Sequence, residues 1–417
     1  MTDSVTDKNA ASNADFKTSP LIPVADALKR LLEDVKPMAA TEIIALGEGL
    51  NRVMASQSIA IVDVPPRDNS SMDGYAVALS SLNREGETTL PISVRIAAGD
   101  NPKTLNPGTV ARIFTGANIP LGADAVIMQE QVTVSGADVC LPANIKLRQN
   151  IRPQGQDLRV DEVLFPVGKK LQPADLGVLA SAGISQISVY KPLKVALLST
   201  GDELQEPGEN PLPGKIFNSN RAMLKAFIEQ LGMQVVDIGK VADTLNATKI
   251  ALAKAAERAD LIISTGGVSV GEEDHIKTAV NALGSLNMWR IKLKPGKPLA
   301  YGRVANTPIF GLPGNPASAM ITFALFARPY LLQLQGAEPI QALRFKAQAG
   351  FEKLKPGNRE EYLRGIYADG KVTPFNNQSS GMLSTASRAN GLIIVPVDAV
   401  IDFGDWVEFV PYSELFA

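Results

Sequence analysis

The sequence predicts a multidomain α/β protein organised around a mainly parallel, doubly wound sheet. Three observations carry this reading. From residue 192 to about 335, apolar strand runs alternate with helical segments of 10 to 16 residues, the pattern of right-handed βαβ units. Residues 59–145 show short β-rich runs cut by Gly and Pro, which reads as an α+β or β-rich insertion. Residues 336–417 hold short strands and turns without helical alternation, which predicts a small β-barrel or sandwich. At 417 residues the chain is long for one core, so several domains are expected.

Taken in order, residues 1–20 are rich in Ser, Thr, Asn and Asp and read as a disordered tail. They lack the basic start and apolar stretch of a secretory signal. Residues 24–58 read as helical, with Val24, Leu28, Leu31 and Leu32 on one face, Pro37 as a break and TEIIALGEGLNRV as a second helical segment. DVPPRDNSSMDGYAV reads as a long polar loop entering a short strand, followed by strand runs in PISVRIAAGD, GTVARIFTGANIP and GADAVIMQEQVTV. LQPADLGVLASAG predicts a helix from Pro173 to Ala182, with proline near its start and Gly183 just past its end. Segments 21–58 and 146–190 are expected to join as one discontinuous linking domain around the insertion domain 59–145. The α/β domain covers 191–335, with strands in KVALLST, MQVVDIG and LIIST. Its helices are expected in SNRAMLKAFIEQLG, TLNATKIALAKAAERA, DHIKTAVNALG and NPASAMITFALFARPYLLQLQG. The barrel domain, 336–417, draws strands from RFKAQAG, EYLRGIYADGKVTPF, GLIIVPVD and DWVEFVPY.

Composition excludes several classes of function. A net charge of −2 gives no global field for nucleic acid or an anionic membrane. No run was expected to reach the ~18 apolar residues of a membrane span. The single cysteine, Cys140, cannot form an intrachain disulfide. The single histidine, His275, rules out two-His zinc sites within one chain and would have to serve alone in any Ser-His-Asp triad. Its setting, GEEDHIK at a helix start, reads as partly exposed surface. These features fit a cytoplasmic protein whose chemistry rests on carboxylates, Lys/Arg, hydroxyls and backbone N–H groups.

Residues 261–317 concentrate those groups. STGGVSVGEED places Gly266, Gly267 and Gly271 where backbone N–H groups can approach an anion, ahead of a helix N-terminus. An ordinary strand-to-helix turn with Asp274 as N-cap explains the same residues. In KLKPGKP, Lys292, Lys294 and Lys297 bring cations together; an anion between them is one reading and a solvated basic edge the other. In GLPGNPASA, Asn315 is expected to cap a helix that begins at Pro316. Asp73, Asp157, Glu203, Asp243 and Asp274 form a scattered acidic set. Mg²⁺ usually takes one or two protein carboxylates and completes its octahedron with waters and substrate phosphates, so the set exceeds a metal's needs.

With these motifs in place, the chain resembles the MoeA-type molybdopterin molybdenumtransferases, relatives of the gephyrin E domain. The resemblance runs from about residue 20 to the end and rests on six ordered motifs: DNSSMDGYAV (68–77), IFTGANIPLGADAVIMQEQV (113–132), STGDEL (199–204), STGGVSVGEED (264–274), KPGKPLAYG (294–302) and GLPGNPASA (311–319). It implies the last step of molybdenum cofactor synthesis: Mg²⁺-dependent insertion of molybdenum from molybdate into adenylyl-molybdopterin, with release of AMP. It also implies a molybdopterin-binding sheet domain and a homodimer whose active cleft lies between subunits. Contact with a molybdopterin adenylyltransferase and with recipient molybdoenzymes follows from the same pathway.

Carried over by motif, the resemblance implies catalytic roles for Asp73, Asp157, Glu203, Asp243, Asp274 and Lys294. Asp73 and Thr115 would come from the partner's insertion domain. Glu203, Asp243 and Asp274 would surround the nucleotide phosphates and Mg²⁺. Gly266, Gly267, Ser269, Gly271, Arg290, Lys297, Pro313, Pro316, Arg364 and Ser380 would line or shape the substrate and anion site. Lysine as point charge, arginine as fork and serine as donor suit a tetrahedral dianion. Two departures stand out: Arg290 occupies a position where lysine is expected in some relatives, and GQD replaces GED, which makes Gln156 an unsuitable ligand. Two other readings fit the same motifs. One is a molybdopterin adenylyltransferase, which needs only the compact sheet domain; the other is a non-catalytic cofactor carrier or scaffold.

Overall fold

The computed structural model describes residues 20–101, 104–266, 275–296 and 298–416. The expected tail up to residue 19, and the expected site residues Gly267, Ser269, Gly271, Asp274 and Lys297, lie outside the described residues.

The α/β sheet has six strands in the order Gln234–Val241, Lys194–Thr200, Leu261–Thr265, Thr307–Leu312, Pro298–Val304 and Gly284–Arg290. The first four are parallel and the last two antiparallel, so the sheet is mainly parallel with an antiparallel edge. Its central strands read as continuous apolar runs because helices cover both faces. Successive side chains of Lys194–Thr200 alternate between two cores. Val195 and Leu197 pack with Leu224 and Ile228 of the helix Ser219–Gln230 and with residues of the helical segment 316–335. Ala196 and Leu198 pack with Leu252 and Ala255 of Leu245–Arg258 and with Ile276 and Val280 of His275–Leu283. The period of two along the strand thus builds two layers of helices.

The segment 316–335 is long and apolar enough to cross a membrane by length and composition, contrary to the sequence expectation, yet 94% of its tested window is buried inside the protein. Its apolarity is explained by packing. It runs as α-helix over Pro316–Thr322, loosens to a π-turn over Phe323–Ala327 and resumes over Arg328–Gln335. Pro329 has no N–H to donate, and the wider turn falls immediately ahead of it.

The C-terminal region is a closed five-stranded barrel. Around the ring, Glu360–Ala368 pairs with Lys371–Pro374, then Phe345–Ala349, Trp406–Pro411 and Gly391–Val395, which returns to Glu360–Ala368. Val372, Ile393, Val407 and Phe409 fill it. Leu293–Lys294 joins this ring as an added parallel strand, with Leu293 opposite Glu360 and Lys294 opposite Glu361. The chain leaving the α/β sheet is thereby stitched to the barrel.

The insertion is a six-stranded sheet in the order Ala125–Met128, Gly74–Val77, Val110–Ile113, Thr88–Ile96, Asp138–Leu141 and Thr133–Ser135. Gly74 in MDGYAV is dictated by close pairing, because a Cβ there would lie 2.0 Å from the Ile127 carbonyl oxygen. On either side of the insertion, Thr41–Ala45 pairs with Gln186–Tyr190, and Ser58–Ile59 with Val163–Phe165. The helical expectation for TEIIALGEGLNRV is therefore corrected. Those residues form a strand and a 3-10 turn, Leu46–Glu48, and the two-residue period puts Ile44 in the core while Ile43 faces out. Pro173–Ser181 is helical as expected, and Gly183 adopts the positive φ of +83° that ends it.

Candidate active site

In a doubly wound sheet, ligands bind beyond the strand C-termini where the connections change direction. Here the chain leaves Lys194–Thr200 for Gln234–Val241 on one side and then returns to Leu261–Thr265 on the other. The switch point is therefore bounded by Thr200 and Thr265, and two adjoining cavities open there. One, of about 550 Å³, is lined by Thr200, Glu203, Asn218, Asn220, Thr265, Asn315 and Pro316, among others. The other, of about 690 Å³, is lined by Lys294, Pro313, Arg359, Gln378, Ser379 and Ser380, among others. Glu203, Gly266, Gly314 and Asn315 belong to both.

The first cavity has a floor of neutral polar groups. Asn220, buried at the start of its helix, donates from Nδ2 to the Thr265 hydroxyl at 2.8 Å and to the Gly314 carbonyl at 2.7 Å. It ties two of the loops at the strand ends together. The Asn220 Oδ1 and Thr200 Oγ1 atoms are buried without a partner among the described residues, and unpaired buried oxygens favour a ligand that donates to them. Gly266 carries φ +84°, and a Cβ there would lie 2.4 Å from the Thr200 carbonyl oxygen. Only glycine lets the two loops approach this closely. Asn315 stands at the N-cap position of the helix beginning at Pro316, but its side chain makes no cap bond there, so the sequence expectation holds for position and fails for the side chain.

The second cavity is cationic. Lys294 presents a half-exposed ammonium, and Arg359 lines the same wall while donating from Nη1 to the Leu293 carbonyl at 3.4 Å. Lys292 does not share a strand with Lys294. The strand spans only Leu293–Lys294, because Pro295 follows and the Lys292 main chain is engaged by Ile22 and Glu360. Arg364 is fully buried beneath the loop 377–380. Its Nη2 donates to the carbonyls of Asn377 and Ser379, at 3.3 and 3.0 Å. Its Nε and Nη1 have no partner among the described residues, and burial lowers its affinity for a proton. Ser380 lines the cavity, and its carbonyl accepts from the Ala317 N–H at 3.0 Å.

Other expected residues lie elsewhere. Asp243 sits two residues beyond Val241, on the same sheet end as Thr200, whose register partner is Val241. Asp157 is exposed, with its N–H donated to the Val64 carbonyl. Arg290 ends an edge strand beside a separate cavity of about 410 Å³, lined also by Pro20, Ile22 and Trp289. Asp73 and Thr115 meet on the insertion sheet, where Thr115 donates both its N–H and its hydroxyl to one Asp73 oxygen, each at 2.8 Å. These two bonds, followed by the nearby Arg112 charge, hold the Asp73 carboxyl below its usual range. Among the described residues, neither cavity is lined by the insertion sheet. No group of three or more His, Cys, Asp or Glu with metal-binding geometry occurs among the described residues.

Sequence reasoning passed over Asn220, Thr200, Thr265, Arg359, Gln378 and Glu361. Thr200 and Thr265 had a detectable signal, because each ends an apolar strand ahead of glycine. Nothing in the barrel sequence marks Arg359 or Glu361.

Three family models match the chain in order. Residues 22–183 match the family model described as MoeA N-terminal region (domain I and II), residues 196–333 the Probable molybdopterin binding domain and residues 346–412 the MoeA C-terminal region (domain IV). A molybdopterin molybdenumtransferase of Haemophilus influenzae is 37% identical over 404 residues, covering 95% of this chain and 100% of the relative.

The chain belongs to the molybdopterin molybdenumtransferase family.

Another member of the family, from Nostoc sp., is 33% identical over 387 residues, with 89% of each chain covered. Among solved structures, a molybdopterin biosynthesis MoeA protein from Pyrococcus horikoshii superposes with a TM-score of 0.82 at 28% identity, covering 94% of this chain and 100% of that one. The multidomain α/β architecture with its C-terminal barrel is thus the architecture of MoeA proteins.

Proposed function

We propose that this chain is a transferase of molybdenum cofactor biosynthesis that inserts molybdenum from molybdate into adenylyl-molybdopterin and releases AMP. The observation that carries the reading is the pair of cavities sharing Glu203 and Gly266 at the switch point, one floored by neutral amide and hydroxyl groups with the Glu203 carboxylate in its lining, the other walled by the cations Lys294 and Arg359. A substrate with a donor-bearing ring system at one end and a doubly charged oxyanion beside it matches that division. In the neutral cavity, Asn220 Oδ1 and Thr200 Oγ1 would accept from the ring, and the Gly266 turn would let backbone approach the phosphates. In the cationic cavity, Lys294 and Ser380 would hold molybdate, with Arg359 adding charge to the wall. The two orphaned nitrogens of Arg364 suit an anion that reaches beneath the 377–380 loop.

Glu203 fits a Mg²⁺ requirement, since it offers an exposed carboxylate at the junction of the cavities, and one or two such ligands suffice when substrate phosphates complete the shell. Asp243, on the same sheet end, is the second candidate, and Asp274 the third by motif. Bound Mg²⁺ would neutralise phosphate charge.

Asp73, Thr115 and Asp157 would serve the cleft of a second copy. Their absence from the cavity linings of their own chain supports this arrangement, and an isologous dimer would complete both clefts.

The test is to supply purified protein with adenylyl-molybdopterin, Mg²⁺ and molybdate. AMP and active cofactor are expected. No AMP under these conditions overturns the proposal, ATP consumption with molybdopterin would indicate an adenylyltransferase, and ligand binding without turnover would indicate a carrier.

A further inference from the structure

We propose that Glu361 and Lys353 govern Lys294: Glu361 is a positioning residue for its ammonium, and Lys353 consumes enough of the Glu361 charge to leave Lys294 attractive to an oxyanion. The inference rests on the reading of Lys294 as a molybdate-holding group.

The parallel register places Glu361 opposite Lys294, across the seam between the α/β sheet and the barrel. The Glu361 carboxylate is buried, at 6% exposure. Its Oε2 accepts from Lys294 and its Oε1 from Lys353, each at 3.2 Å. Gly357 closes over it, since a Cβ there would lie 2.9 Å from Oε1. Lys353 is mostly buried and also donates to the Lys355 carbonyl at 2.8 Å, so it is fixed behind the carboxylate. Lys294 is half-exposed and lines the cavity.

A buried carboxylate in contact with an anion-binding lysine presents a problem. A lone Lys–Glu pair is neutral and offers a dianion no net attraction, while a carboxylate near the dianion repels it. Two ammonium groups around one carboxylate leave a net single positive charge, and only Lys294 faces the cavity. The arrangement fixes the ammonium without cancelling it.

The substitutions separate charge from position. Lys353→Met leaves the local set neutral and is expected to weaken molybdate binding by about tenfold. Adding Glu361→Gln restores the net positive charge, so the Lys353→Met/Glu361→Gln protein is expected to return to within about threefold of the wild-type dissociation constant. Its kcat is expected to stay low because Lys294 has lost its anchor. Glu361→Gln alone is expected to bind molybdate no more weakly than wild type, again with reduced kcat. A purely structural role for these residues predicts instead that every variant binds more weakly and that the double variant is the worst.

The experiment is titration of each protein with molybdate by calorimetry, with kcat and melting temperature measured in parallel. Double-variant binding as weak as that of Lys353→Met overturns the charge role, and full kcat in Glu361→Gln overturns the positioning role. If Lys353→Met does not fold, Glu361→Gln and the double variant decide the charge question: the double variant carries one positive charge fewer and is expected to bind molybdate more weakly than Glu361→Gln, and equal binding by the two overturns the charge role. Lys294→Met separates the two levels of argument. Unchanged molybdate binding in that variant removes the underlying reading, whereas weakened binding there together with a silent Lys353→Met removes only the inference.

Discussion

Thr115 clamps Asp73 by donating twice to the same carboxylate oxygen, once from its backbone and once from its hydroxyl, each at 2.8 Å. The Asp73 main chain is held as well, since its carbonyl accepts from the Gln129 N–H at 3.0 Å. Arg112 donates from Nη1 to the next carbonyl, that of Gly74, at 3.1 Å. The Asp73 carboxylate is thus held in one orientation at an exposed sheet end.

The clamp has a pH consequence. A carboxyl whose folded pKa is depressed adds stability that is present above its unfolded pKa and is lost as pH falls through the folded value. Asp73 is such a group, with Thr115 as the largest cause. Thr115→Val keeps the backbone donor and removes the hydroxyl. The Asp73 midpoint is expected to rise toward the ordinary carboxylate value while staying below it, as read by carbon NMR titration of the side chain. An unmoved midpoint would show that the hydroxyl bond does not exist in solution.

If Asp73 serves the neighbouring copy, subunits carrying different lesions should repair each other. Asp73→Asn and Lys294→Met proteins should each be nearly inactive alone. Unfolded together and refolded, they should form mixed dimers with one intact cleft, recovering roughly a quarter of wild-type activity for random pairing. Placing both substitutions in one chain and mixing it with wild type gives the control. Failure of the two single variants to complement, with dimers confirmed by mass, would place Asp73 and Lys294 in the same subunit's cleft.

Asn220 joins Thr265 to Gly314 at the floor of the neutral cavity. Asn220→Ala removes the buried bond to the Thr265 hydroxyl and the part-buried bond to the Gly314 carbonyl, each worth about 0.5–1.5 kcal/mol. A lower melting temperature is expected, accompanied by a higher KM for adenylyl-molybdopterin and an unaltered KM for molybdate. A rise in both constants would mean that the two cavities are not energetically separate.

Glu203 is exposed and makes no ion pair among the described residues, so Glu203→Gln should leave the melting temperature within experimental error. The Mg²⁺ concentration for half-maximal rate should rise several-fold, and chelation should abolish wild-type activity reversibly. An unchanged Mg²⁺ response would assign the metal to other carboxylates.

Local pattern was enough for much of the fold. KVALLST and LIIST are apolar on both faces because helices cover both, and such strands read directly from sequence. TEIIALGEGLNRV misled because its apolar spacing suits a helix turn, whereas pairing with Gln186–Tyr190, far along the chain, selects the strand. The same limit applies to the site. Gly266, Glu203, Lys294, Pro313 and Pro316 lie in or beside Gly/Pro-punctuated loops visible in the sequence, and all line the paired cavities. Arg364 is read in the sequence as an anion-binding fork, and its burial under the 377–380 loop follows from barrel closure.

The sequence by itself determined the strand and helix rhythm of the α/β domain, the β character of the flanking regions, the glycine turns and the supply of carboxylates and lysines, because each follows from neighbours a few residues apart. Tertiary structure alone decided that Lys294 meets Glu361, that Asn220 bridges Thr265 and Gly314, and that Thr115 clamps Asp73. Those relationships span 67, 45 to 94 and 42 residues. Their register is set by sheet pairing and barrel closure, which bring distant segments together through burial that no local pattern encodes.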